Sequence, residues 1–130
     1  MWSQKLNPAD IVDLGVPNYC HGLHLKEVNE WVQLSGQVGV APDGTVAENF
    51  DEQCRQAFSN IDACLRQAGM GPQDIAMLRI FLISREHLGA LRKIRKEYLG
   101  DLQIPSTLVF VNGLVGPDWL VELEVSAAKG

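Results

Sequence analysis

The sequence predicts an α+β domain in which two amphipathic helices cover one face of a mixed sheet, in the order β-β-α-β-α-β-β. Three observations carry this expectation. The stretch "NFDEQCRQAFSNIDACLRQAG" (49–69) places Phe50, Cys54, Ala57, Ile61, Cys64, Leu65 and Ala68 on one stripe of 3.6-residue period. The stretch "REHLGALRKIRKEYL" (85–99) does the same with Leu88, Leu91, Ile94 and Tyr98. Before, between and after these helices lie apolar or alternating runs of strand length.

Taken in order, "YCHGLHLKEVNEWVQLSGQVGVAPDG" (19–44) reads as two strands joined around Val28-Asn29-Glu30. Val32, Leu34, Val38 and Val40 keep period two, and "APDG" closes the second strand with turn residues. Asn49 can cap the first helix, with Glu52 three residues on, and "GMGP" (69–72) stops it. "IAMLRIFLI" (75–83) is almost continuously apolar, as in a strand buried on both faces. Ser84 caps the second helix and Gly100 ends it. Thr107–Val111 is a β-branched strand with Pro105 at its mouth, where proline costs no ladder bond. Trp119–Ser126 is the last strand, with "VGPDW" (115–119) turning before it. Asn112-Gly113 is a competing hairpin signal, ranked second because Leu114 and Val115 continue the apolar run.

A chain of 130 residues is one domain, 1–130, large enough for a core without disulfide or metal staples. The N-terminus has no apolar signal region and no stretch nears the ~20 apolar residues of a membrane span, so a soluble, cytoplasmic protein is expected. The net charge of −5 repels polyanions. The basic cluster Arg92, Lys93, Arg95, Lys96 lacks aromatic interleaving beyond Tyr98 and reads as a solvated helix face, so neither nucleic acid nor membrane is an expected partner. Cys54 and Cys64 lie roughly 15 Å apart along one helix, too far for a disulfide, and read as small core residues.

In "WLVELEVSA" (119–127), Val121, Leu123 and Val125 share one strand face and suit the helices. Leu120, Glu122 and Glu124 share the other, which two helices cannot cover. That face must meet solvent, a cleft or another subunit, so an oligomer is expected. Glu122 and Glu124 have Cα atoms about 6.6 Å apart. They are either a solvated strand face or a carboxylate site that activates or holds a water. Ser106 and Thr107 put two small neutral oxygens at a strand mouth. Cys20, His21 and His24 are metal-ligand types, but Cys20 and His21 point to opposite faces of a strand, and Cys20 and His24 are about 13 Å apart. "SGQVG" (35–39) lacks the phosphate-loop frame, and no GxSxG, HExxH or CxxC is present. No metal or organic cofactor is expected.

Five pieces, in order, resemble the Rid family, also called YjgF or L-PSP, over roughly 17–128. They are Tyr19 in "Y-x-x-G", "LSGQVGV" (34–40), "Q-x-x-x-A-F-x-N-I-x-x-x-L-x-x-A-G" ending at Gly69, "LRIFLI" (78–83) and "PDWLVELEVSA" (117–127). The resemblance implies a chorismate-mutase-like fold, a homotrimer with a central barrel, and clefts between subunits that hydrolyse imines or enamines to 2-keto acids and ammonia. By motif, Glu122 corresponds to the water-positioning glutamate, Tyr19 to a cleft tyrosine, and Ser35 and Gly36 to groups lining the cleft. Asn60 corresponds to a structural helix asparagine.

The family's substrate-carboxylate arginine belongs in "Pro-Ala-Arg-Ser/Thr". Here anchoring on Pro105 puts Thr107 at that position, and anchoring on "TLVFV" puts Ser106 there. Neither is a cation. Losing one partner of a buried charge pair costs roughly 2–5 kcal/mol, against about 1 kcal/mol returned by a hydroxyl. Ordinary 2-imino acids are then poor substrates unless another cation reaches the cleft, and Arg92, near the family's polar cleft residue on the second helix, is the candidate. The expected function is an imine or enamine deaminase-like hydrolase of atypical substrate, with Glu122, Ser106 and Thr107 catalytic and Tyr19, Ser35, Gly36 and Arg92 binding the small molecule. The alternative is a non-catalytic ligand-binding trimer using the same cleft. Ribonuclease activity is disfavoured by the acidic charge and the missing His/Lys constellation.

Overall fold

Asn49 starts the first helix, α1 (Phe50–Gln67), its side-chain oxygen accepting the Glu52 N–H at 2.9 Å in the computed structural model, which describes residues 1–130. Asp51 and Glu52 in the first turn suit the positive end of the helix dipole. The buried stripe is Phe50, Gln53, Cys54, Ala57, Phe58, Ile61 and Leu65. Cys64 and Ala68, expected on it, lie at its margin, half-buried and exposed. A 3₁₀ turn (Arg85–His87), capped by Ser84 Oγ, leads into α2 (Leu88–Leu99), and Gly100 ends α2 at φ 60°. No helix is long and apolar enough to cross a membrane.

The first strand, β1 (Trp2–Leu6), pairs antiparallel with β2 (Gly22–Lys26) in a separate two-stranded sheet. The main sheet holds β3 (Glu30–Gln33), β4 (Gln37–Val38), β5 (Ile75–Leu82), β6 (Ser106–Phe110) and β7 (Val121–Lys129). β7 lies between antiparallel neighbours, with β5 on one side and β3 and β4 in succession on the other. β6 runs parallel to β5 at the edge, as strands joined through a helix do.

Val121, Leu123, Val125 and Ala127 of β7, with Ile75, Leu78, Ile80 and Leu82 of β5, form the core against both helices. Burying each Leu, Ile or Val contributes roughly 1.5–3 kcal/mol. An α+β layer with two helices on one sheet face is therefore observed.

β1 was not expected; its five residues are all exposed, and it pairs with β2. β2 and β3 belong to different sheets, and the period-two run breaks between Leu34 and Gly36. Within the chain β5 is buried on one face, with Arg79 exposed on the other. Arg95, placed in a solvated basic face, is only 2% exposed. Its guanidinium donates to the Pro17 carbonyl at 2.8 Å, and burial, with Arg92 nearby, lowers its pKa. Asn112-Gly113 forms no hairpin, because β5 separates β6 from β7.

Candidate functional site

Alternation along β7 turns Glu122 and Glu124 away from the core, onto the sheet face that no helix covers. Two rows of side chains cross that face. One is Thr107, Arg79 and Glu124, in register across β6, β5 and β7. The next is Val109, Phe81, Glu122 and Val38, running from β6 to β4. Arg79 Nη1 donates to Glu124 Oε1 at 3.3 Å.

The strands beside Glu122 are held in place from α1. The Asn60 side-chain amide donates to the Val38 and Val40 carbonyls at 3.0 and 3.1 Å, tying β4 to the helix. Gly39 allows the approach: a Cβ there would stand 2.5 Å from the Gln53 backbone. Buried Gln53 donates to the Ala47 and Asp118 carbonyls and accepts the Leu120 N–H, fixing the start of β7. With β4 so placed, Gly36 lies against the Glu122 carboxylate. Ser35, exposed beside it, gives its carbonyl to the Gln37 amide.

The two strand-mouth hydroxyls part company. Thr107 is exposed on the Glu122 face, whereas Ser106 pairs with Leu78 and shares the helix side with Leu108 and Phe110. Only Thr107 joins the carboxylate rows. Arg92 is exposed on α2, across the sheet from Glu122.

Tyr19 is also apart from Glu122. It bridges Ile104 just before β6, about 22 Å from Glu122 by strand rise and spacing. Asn18, at φ 57°, anchors this turn through the Gly100 and Leu102 carbonyls. Tyr19 lines an open cavity of about 440 Å³ with Asn7, Asp13, His21 and Gln103. His21 Nε2 can only donate to the Val12 carbonyl, 3.1 Å away, so in the neutral ring Nδ1 accepts from the Tyr19 hydroxyl. Cys20 is buried, donates to the Gly22 carbonyl, and has its pKa raised by that burial, which disfavours a thiolate.

Arg79, on the face that holds Glu122, is the residue that sequence reasoning passed over. Its signal was a single cation inside the otherwise apolar "IAMLRIFLI", between Leu78 and Ile80, both buried.

The geometry can be set beside known proteins. A family model described as Endoribonuclease L-PSP matches residues 15–129. A RutC family protein of Aquifex aeolicus is 33% identical over 105 residues, covering 79% of this chain and 84% of that protein. A mouse protein named 2-iminobutanoate/2-iminopropanoate deaminase is 24% identical over 106 residues, covering 80% of this chain and 78% of its own. The crystal structure of YyfB from Yersinia pestis, a Rid family protein of unknown function, superposes with a TM-score of 0.87 at 24% identity, covering 99% of this chain and all of that one. From residue 15 to 129, then, this chain belongs to the Rid family, the family of the RutC and L-PSP proteins.

Proposed function

We propose that the protein hydrolyses a small imine or enamine, with Glu122 holding the attacking water. The observation that carries this reading is the placement of Glu122: a half-buried carboxylate on an uncovered face, against the Gly36 backbone and flanked in register by Phe81 and Val38. A carboxylate so placed accepts a hydrogen bond from water and takes its proton as the oxygen adds to the C=N carbon. The proton passes to the nitrogen, giving a carbinolamine. Its collapse forms the carbonyl and releases ammonia. An enamine enters the same path after protonation at carbon. Thr107 orients the substrate from the neighbouring row. The mouse relative's name, at 24% identity, supports this reaction class.

In this reading the working form is a homotrimer whose copies close the uncovered faces around a central barrel. Val109 and Trp31, 41% and 57% exposed, lie on strands of that sheet and would be covered. Tyr19 and Arg92, remote from Glu122 within one chain, would complete a cleft by facing the Glu122 of a neighbouring copy. Ser35 and Gly36 would line it, and Ser106 would support Thr107 from the strand mouth.

The test is hydrolysis of freshly generated 2-iminopropionate, followed as loss of its capture by semicarbazide, with light scattering on the same sample. A trimer whose turnover collapses by orders of magnitude in Glu122→Gln supports the proposal. A clean monomer, or turnover indifferent to Glu122→Gln, defeats it. Ligand binding without turnover would assign the cleft to recognition instead.

A further inference from the structure

We infer that Arg79 is the cation that binds a substrate carboxylate, replacing the arginine missing from the mouth of β6. This rests on the hydrolase reading above and adds a specificity-determining residue: Arg79 sets a preference for a carboxylate-bearing imine over a neutral one. The main sheet carries two cations, Arg79 and Lys129. The Lys129 ammonium donates to the Gly69 carbonyl at the sheet's far end. Arg79 is therefore the one cation on the face that holds Glu122.

Its position fits the task. Arg79 is the register partner of Thr107, with backbones about 4.8 Å apart, and its guanidinium, turned toward Glu124 on β7 in the structure, would reach the space above residue 107 by swinging to the β6 side. Thr107 is short enough to leave that space open and adds a hydroxyl to it. Glu122 lies diagonally from Arg79 across the β5–β7 pair, about 7–8 Å away. A 2-imino acid then fits with its carboxylate at Arg79 and its C=N carbon over Phe81, facing the water on Glu122.

The Arg79–Glu124 pair leaves this function available. It is one contact of 3.3 Å between side chains 48% and 39% exposed. A guanidinium has five N–H donors in a planar fork, and a single contact to Glu124 leaves most of them for an incoming carboxylate. The two glutamates of β7 thereby take different roles. Glu122 acts on the water, and Glu124 holds Arg79 through one exposed contact that a substrate carboxylate would displace.

The test uses the full chain and two readouts. Pyruvate, a stable 2-keto acid, probes carboxylate binding by calorimetry without any turnover. Turnover of 2-iminopropionate is compared with that of its uncharged carboxamide counterpart. Arg79→Gln, at an exposed position, should fold normally by circular dichroism. It should weaken pyruvate about 10- to 100-fold and remove the preference for the carboxylate substrate, mainly through KM. Thr107→Arg in the Arg79→Gln background should restore pyruvate binding. Failure of the wild type to bind pyruvate, unchanged binding in Arg79→Gln, or the same loss in Arg92→Gln instead, overturns the inference. If Glu122→Gln abolishes turnover while Arg79→Gln changes nothing, hydrolysis stands and this inference falls. If Arg79 governs pyruvate binding but no imine is hydrolysed, the inference stands and the hydrolase reading falls.

Discussion

The Gly36 backbone lies so close to Glu122 that a Cβ on residue 36 would stand 2.5 Å from Oε2 and 2.7 Å from Cδ. Something would have to move, and the end of a flexible side chain moves more readily than a strand. Gly36→Ala is therefore expected to cost about 1 kcal/mol or less in stability while displacing the carboxylate. A shift of about 1 Å in a reacting group can cost roughly 10²-fold in rate. Paired thermal melts and imine hydrolysis check this; a variant as active as wild type would place the working carboxylate elsewhere.

Gly39 presents the opposite case. Its added Cβ would meet the Gln53 Cα and carbonyl oxygen at 2.5 Å, and helix backbone cannot rotate away. Gly39→Ala should destabilise the fold by about 1–3 kcal/mol, read as a lower urea midpoint. If Gly39→Ala proved milder than Gly36→Ala in that assay, β4 would be packed on α1 more loosely than described.

Asn60→Ala removes the donors to both the Val38 and Val40 carbonyls. The expected loss is about 1–3 kcal/mol, with activity falling as β4 loosens beside Glu122. Urea unfolding gives the first number. Hydrogen exchange around Val38 and Val40 checks that the loosening is local.

Alkali should weaken the fold in a defined window. Burial, with Asp51 nearby, pushes the Cys54 thiol up to about 12, and burial also raises Cys20 and Tyr98. An unfolded cysteine titrates near 8.5. Between these values the unfolded chain releases a proton that the folded chain keeps, so stability is full below about pH 8.5 and falls as pH rises toward 12. The slope approaches about 1.4 kcal/mol per pH unit for each fully shifted group. Urea unfolding at pH 7, 9 and 10.5 measures it, and Cys54→Ala should flatten the slope from a lower starting stability. A flat profile to pH 10.5 would contradict this account.

What could be read from the sequence was whatever a local period encodes. The stripe Phe50, Cys54, Ala57, Ile61 and Leu65 is buried as spaced, Asn49 caps α1, and the Val-Leu-Val face of β7 packs inward. Those same alternations turned Glu122 and Glu124 outward. Trp2–Leu6 carries no such period, and its strand exists only because β2, about twenty residues on, offers a partner. Arg79 was hidden for a related reason: its partners are Thr107 and Glu124, 28 and 45 residues away, and only sheet register brings them together. Ser106 and Thr107 look equivalent in sequence, and strand parity assigns them to opposite faces.

That parity separates two kinds of heritable change. On β7, residues 121, 123, 125 and 127 answer to the core, while 122 and 124 answer to whatever occupies the open face. Thr107, Arg79 and Glu124 form a row on the open face with no member in the packed interior. A lineage can therefore change what meets that face by editing alternate letters of three strands, with little debt to folding. Divergence of the open face within this architecture should outrun divergence of shape.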